Sequence, residues 1–368
     1  MSERALLMSV LEYAIDLKGQ DVFFKADTAP RMRLGHLVTP LPFPPVTGER
    51  IEAMSREILT PKQLEGLTKN KSIDFGLTHS GKGCRFRGNI FYQQGTLSAV
   101  FRLLWKGVPD FSQLALPPIL QKVALEKAGI ILIGGTVSSG KTTTIAAMIH
   151  TMNENAQKHV ITIEDPIEYL HEDKQCLIQQ REVGEDTESF ASAMKYIVRQ
   201  SPDVVVIGEM RDAESFSFAL ASAEVGRLVI STVHAQSVGQ VFDRVLGFFA
   251  PEHREAVLRH FAMNVSCIAV QKLLVGADGK SLVPAVEIML GSYIIKQLIM
   301  EHRVDKLAQA LRNSSQEGMQ TMDQSLLQLW EKKLITRETA LASSQSPQEL
   351  EAWMKGIKIG QDTKILGG

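Results

Sequence analysis

Gly135-Thr136-Val137-Ser138-Ser139-Gly140-Lys141-Thr142 fits the pattern GxxxxGK[ST]. It lies between an apolar run, Ile130 to Ile133, and a helix-forming run, Thr143 to His150. A strand before and a helix after are what a phosphate-binding loop requires, whereas a chance glycine turn needs neither. The glycines let loop amides point inward at phosphate, Lys141 offers a point charge to the outer phosphates, and Thr142 offers a hydroxyl to Mg²⁺. The expected ligands are therefore ATP and Mg²⁺, and the expected nucleotide-binding residues are Gly135, Thr136, Val137, Ser138, Ser139, Gly140, Lys141, Thr142 and Thr143.

Outward from this loop, Val160 to Ile163, Val204 to Ile207 and Leu228 to Thr232 are further apolar runs without polar alternation. Strands of that kind are buried on both faces, as in a parallel sheet between helices. Each is followed by a chemically useful side chain. Glu209 ends Val204-Val205-Val206-Ile207-Gly208-Glu209, where a P-loop enzyme holds its Mg²⁺ shell, so Thr142 and Glu209 are the expected metal residues, partly through water. Glu164 opens the acidic turn Glu164-Asp165-Pro166-Ile167-Glu168, in which one carboxylate can polarise an attacking water. His234 follows the strand of Ser231-Thr232-Val233 and can donate to a γ-phosphate. Taken singly, an acidic turn or a lone histidine is as well explained by a solvated surface or a satisfied structural imidazole.

Leu6, Leu7, Val10, Leu11, Ala14 and Ile15 repeat at helical spacing, and short β-rich runs follow at Val22 to Phe24, Met32 to Leu37, Ser72 to Leu77 and Arg85 to Arg102. This is a small α+β module. Arg85 and Arg87 share a strand face by parity, and Arg102 comes from a second strand after the turn at Gln94-Gly95. The breakers of Lys106 to Asp110 place a boundary there, giving an N-terminal domain over 1–110, an α/β core over 111–285 and a helical portion with its tail over 286–368. Forty basic residues against 41 acidic ones leave a charge of -1, which disfavours general nucleic-acid binding and a DNA-translocating motor. No apolar run reaches the ~20 residues that span a bilayer, so membrane insertion is not expected. The three separated cysteines fit a reducing compartment.

The four stretches together resemble the Walker A, Asp, Walker B and His boxes of the secretion and type IV pilus ATPase superfamily. Gly184 to Thr187, Arg199 to Asp203, Gly208 to Asp212 and Gly318 to Asp323 are similar to its pilus-retraction branch, and the likeness runs over roughly residues 5 to 345. The resemblance implies a PAS-like N-terminal domain, a RecA-like ATPase core with a helical end, and a ring of six copies powering pilus retraction and twitching motility. It implies Glu164 as catalytic base, Glu209 as organiser of Mg²⁺ and His234 near the γ-phosphate. It further implies that N-terminal arginines, here Arg85, Arg87 and Arg102, complete the pocket. Its implied setting is cytoplasmic, peripheral to the inner membrane through a pilus platform protein, with room for a paralogous retraction ATPase as partner. Two departures stand out: Ser138 occupies a position where the family usually has glycine, and Ile294 to Glu301 departs from the retraction signature, leaning towards the PilU type or a divergent PilT type. Extension and secretion motors share the boxes but generally add a four-cysteine zinc site, which three cysteines cannot build. A ring subunit that binds nucleotide without turning it over is a further alternative.

Overall fold

The computed structural model describes residues 2–35, 37–79, 81–104 and 107–357. The chain forms two compact units. One holds Met1–Gly107 with the segments Asp165–Leu170 and Glu182–Thr187, and the other holds Val108–Glu164, His171–Arg181 and Glu188–Gly368. Lys106 and the tail expected from Ile359 onward lie outside the described residues.

The first unit opens with helix α1 (Glu3–Asp16), which buries Leu6, Leu7, Val10, Leu11 and Ala14 along one stripe. Ser2 caps it by accepting from the Ala5 amide. Strands β1 (Asp21–Lys25), β2 (Arg31–Leu34) and β3 (Leu37–Pro40) follow, then helices α2 (Gly48–Ile58) and α3 (Pro61–Asn70). Strands β4 (Ser72–His79), β5 (Cys84–Gln93) and β6 (Thr96–Leu104) complete an antiparallel sheet in the order β3-β2-β1-β6-β5-β4. The single strand expected over Met32 to Leu37 is a hairpin instead. Leu34 pairs with Leu37, and Gly35 supplies the left-handed φ of 60° that the reversal needs. Under the sheet, Phe101 meets Phe24 and Phe75 edge-on at 5.8 and 6.1 Å.

The second unit runs α4 (Ile119–Ala124), β7 (Gly129–Gly134), α5 (Lys141–Asn155), β8 (His159–Glu164), β9 (Leu177–Glu182), α6 (Phe190–Ile197), β10 (Val204–Ile207), α7 (Ala213–Glu224) and β11 (Leu228–Val233). Helices α8 (Val238–Gly247) and α9 (Pro251–Asn264) lead to β12 (Val265–Val275) and β13 (Leu282–Leu290). Its seven-stranded sheet has the order β13-β12-β7-β11-β10-β8-β9. Strands β8, β10, β11, β7 and β12 pair in parallel and β13 antiparallel. All residues of β7, β10 and β11 are buried, as their largely apolar character requires, with Ser231 and Thr232 of β11 the polar exceptions.

The strand β13 (Leu282–Leu290) runs across the boundary placed after residue 285, and the helical portion opens with α10 (Tyr293–Met300). It continues through α11 (Leu307–Asn313), α12 (Met322–Glu331), α13 (Arg337–Ser343) and α14 (Pro347–Met354). Leu274, Val283 and Ala285, from the ends of β12 and β13, form one apolar cluster with Met322, Leu326, Leu329 and Leu350 of these helices. No helix among the described residues is long and apolar enough to cross a membrane.

Glu287, buried within β13, accepts from the Val238 amide at 2.8 Å and so anchors the first turn of α8. Burial pushes its carboxyl pKa up, because little water is left to solvate the charge. A raised folded pKa means that the stability this group contributes is complete below its unfolded pKa and is lost as pH rises through the folded value. Glu287→Gln retains an acceptor for Val238 and carries no charge. Thermal unfolding should therefore show the variant gaining a few degrees at pH 8 over the parent, with the gain fading towards pH 4; an equal offset at both values would rule out the buried charge as its cause.

Candidate functional site

Parallel pairing sets the site out. Ile163, Ile207 and Ser231 lie side by side across β8, β10 and β11, and Ser231 is level with Leu132 of β7. Each expected motif in this unit therefore leaves the same, carboxyl edge of the sheet, where open α/β folds place their ligands. The edge is stitched beyond the strands. The Gly208 amide donates to the Ile163 carbonyl at 2.8 Å, Thr232 Oγ1 donates to the Gly208 carbonyl at 2.6 Å, and the Gly135 amide donates to the Val233 carbonyl at 3.3 Å.

The loop between β7 and α5 has the backbone of a phosphate cradle. Gly135 and Gly140 take φ of 150° and 85°, and a Cβ on Gly135 would lie 2.2 Å from Ser139 Oγ and 2.7 Å from the Gln271 carbonyl oxygen. Only glycine fits there. Lys141 Nζ donates to the carbonyls of Gly135 and Thr136 at 3.0 and 2.7 Å, which holds its charge at the mouth of the loop. The buried Ser139 hydroxyl has no partner in the structure, and it lines a cleft of about 320 Å³ with Thr136, Val137, Gln236 and Gln271. Thr142 and Thr143 stand in the first turn of α5, both half-buried. Ser138, where a glycine is usual in the family resembled, has a left-handed φ of 61°. The departure is thus a strained one, at roughly 1–2 kcal/mol for a side-chain-bearing residue in that region.

Glu164 closes β8. Its Oε1 accepts from Thr162 Oγ1 at 2.6 Å and from Gln180 Nε2 at 3.0 Å, and the Gln180 carbonyl oxygen of the side chain in turn accepts from the His171 amide at 2.9 Å. The carboxylate is oriented by two donors that the sequence reading did not single out. The remaining acids of that turn, Asp165 and Glu168, belong to the first unit.

Glu209 sits two residues past β10 with its side chain only 17% exposed. Arg211 Nε and Nη2 reach its Oε2 at 2.8 and 2.7 Å, and His234 Nε2 lies 3.1 Å from its Oε1. A carboxylate can only accept, so the contact assigns the proton of His234 to Nε2. Glu209 and His234 are therefore one hydrogen-bonded group, and Arg211 is a third member.

In the first unit, Arg87 and Arg102 are direct cross-strand partners on β5 and β6, and Arg85 lies two residues along on the same face. Their surroundings differ. Arg85 ion-pairs with buried Glu182, donates through Nε to the Ile167 carbonyl at 2.8 Å and through Nη1 to Thr78 Oγ1 at 3.2 Å. Its side chain is 16% exposed, against 44% for Arg87 and 65% for Arg102. Of the three arginines expected at the pocket, Arg85 fastens the segments Asp165–Leu170 and Glu182–Thr187 within its own unit, and Arg87 and Arg102 are the more exposed two.

A further residue emerges from β12. Gln271, 1% exposed, bridges the loop and α5: its Nε2 donates to the Ser139 carbonyl and its Oε1 accepts from Thr144 Oγ1 at 2.9 Å. An amide that ends the mostly apolar stretch Cys267 to Val270 is the signal by which the sequence could have revealed it. Thr162 and Gln180 carry no such mark.

Substitutions in the loop should separate geometry from residue type. Gly135→Ala forces a Cβ onto backbone, and nucleotide affinity is expected to fall at least about tenfold. Ser138→Gly relieves the left-handed strain, offset by the greater freedom of glycine in the unfolded chain, and should be neutral or stabilising by up to about 1 kcal/mol. Isothermal titration with ADP and urea unfolding test both; tight binding by Gly135→Ala would show that the loop is not held in this shape.

Comparison with known proteins places this geometry among motor ATPases. A family model described as type II/IV secretion system protein matches residues 98–342. The type IV pilus ATPase PilU of Pseudomonas aeruginosa is 36% identical over 354 residues, covering 96% of this chain and 92% of that protein. The retraction ATPase PilT of the same organism is 34% identical over 342 residues, covering 93% and 99%. A crystal structure of the pilus retraction motor PilT with bound ADP superposes with a TM-score of 0.86 at 36% identity, covering 94% of this chain and 98% of that one. The Legionella pneumophila ATPase DotB shares the fold, with a TM-score of 0.81 at 21% identity over 96% of each chain.

Proposed function

The chain belongs to the type II/IV secretion system protein family, and within it we propose that it is an ATP-hydrolysing motor that powers type IV pilus retraction. The observation that carries this reading is the common carboxyl edge at which the phosphate loop, Glu164 and the Glu209–His234 pair converge. The motor is a homo-oligomeric ring, in our reading a hexamer. It works in the cytoplasm against an inner-membrane platform protein, alone or beside a paralogous ATPase.

The loop amides and Lys141 bind and orient the phosphates of ATP. The positive-φ glycines and the buried, unpartnered Ser139 hydroxyl are compatible with such a ligand. Thr142 and Glu209 would hold Mg²⁺, Glu209 through water, since both its oxygens already accept from Arg211 and His234. Bound there, the cation neutralises charge on the outer phosphates. Glu164, aligned by Thr162 and Gln180, accepts a proton from the attacking water. His234 donates its Nε2 proton to Glu209 and so holds that carboxylate in place at the edge where phosphate charge develops. Arg87 and Arg102 supply guanidinium charge in the transition state, a contribution that reaches ~10³-fold for arginine fingers.

Phosphate release from the purified chain with Mg-ATP tests this assignment. Lys141→Ala should lose turnover, and Glu164→Ala should bind nucleotide as the parent does while hydrolysis drops by roughly 10²–10⁴-fold. Arg87→Ala and Arg102→Ala should depress kcat far more than affinity, with sedimentation showing intact assemblies. Near-normal hydrolysis by Lys141→Ala would overturn the ATPase site. Undiminished twitching in a strain lacking the gene, with the ATPase intact, would overturn the retraction role alone.

A further inference from the structure

We propose that Gln271 is a positioning residue of the phosphate loop, locking the Ser139–Gly140 peptide plane so that its carbonyl faces away from the ligand and its amide towards it. The inference rests on the loop being the nucleotide site proposed above. The anchoring strand is rigid: Cys267, Ile268, Ala269 and Val270, which precede Gln271, are fully buried and pair with both β7 and β13. From this wall the side chain makes two bonds, one to the loop and one to the helix that follows it. Nε2 takes the Ser139 carbonyl, and Oε1 takes Thr144 Oγ1, in the first turn of α5. A buried amide that lost either bond would leave a desolvated polar group, so the pair is held as a unit.

Something must hold that plane, because Gly140 cannot. With φ at 85°, Gly140 sits in one of several conformations open to glycine, and a flip of the preceding peptide costs it little. Flipping would swing the Ser139 carbonyl towards bound phosphate, where two oxygens repel, and turn the Gly140 amide out of the cradle. The main chain of Gln271 acts on the same loop from the other end, its carbonyl oxygen standing 2.7 Å from where a Gly135 Cβ would be. The loop is therefore shaped from β12, and affinity scales with the fraction of molecules in which the plane is correctly set.

The test uses the full-length chain, with ADP titration, steady-state hydrolysis of Mg-ATP and urea unfolding. Gln271→Leu removes both bonds. Gln271→Glu is isosteric, still accepts from Thr144 and cannot donate to Ser139, so it carries the test if the leucine variant does not fold. Both should raise Kd for ADP and KM for ATP at least about tenfold with kcat at saturation within about threefold of the parent. Thr144→Val, which keeps the bond to Ser139, should change Kd less than about threefold even where it lowers stability comparably. Parental Kd in both Gln271 variants, or a fall in kcat with Kd unchanged, overturns the proposal. Lys141→Ala binding ADP as tightly as the parent would overturn the nucleotide site itself, a different result that leaves the two failures distinguishable.

Discussion

Strands buried on both faces have no water to satisfy their backbone, so every amide and carbonyl in them must be met by a neighbouring strand. In the second unit that constraint fixes the register of β8, β10, β11 and β7 and brings their carboxyl ends level. Segments as far apart in sequence as Gly135 and His234 thus emerge at one edge. The chemistry is then a matter of which side chain follows each strand.

Around that edge, polar groups are used in pairs and triads rather than singly. Glu164 has Thr162 and Gln180, Glu209 has His234 and Arg211, and the phosphate loop has Gln271. Each group gains orientation from a partner on a different element, so it is preorganised and needs little rearrangement when charge develops. The strained backbone of Ser138 lies within the same loop, where deviations of this kind concentrate.

The first unit shows how similar residues are divided by their surroundings. Arg85, Arg87 and Arg102 share a sheet face, yet the burial of Glu182 at 5% exposure draws Arg85 into a structural ion pair. Its guanidinium there also donates to the Ile167 carbonyl, and removing it would strand a buried carboxylate. Arg87 meets Asp74 at 4.0 Å with both side chains in solvent, where such a pair is worth little, whereas Arg102, itself 65% exposed, bonds the buried Asp21, which Arg33 also holds.

By itself the sequence determined the α/β core and the glycine loop that ends in Lys141, because these depend on local patterns, apolar runs of strand length and glycines at fixed spacing, whereas Glu164, Glu209 and His234 became candidates through a polar residue at each strand end read together with the family resemblance. It located α1 and the β5–β6 hairpin for the same reason. Only the tertiary structure split Met32 to Leu37 into a hairpin, carried β13 past residue 285 and separated Arg85 from its neighbours. Only it, too, revealed Thr162, Gln180, Arg211 and Gln271 as the groups that orient the site. Periodicity records which side of an element faces the interior, whereas a hydrogen bond between residues 132 positions apart, as from Gln271 to Ser139, exists only once the sheet has set both ends beside each other.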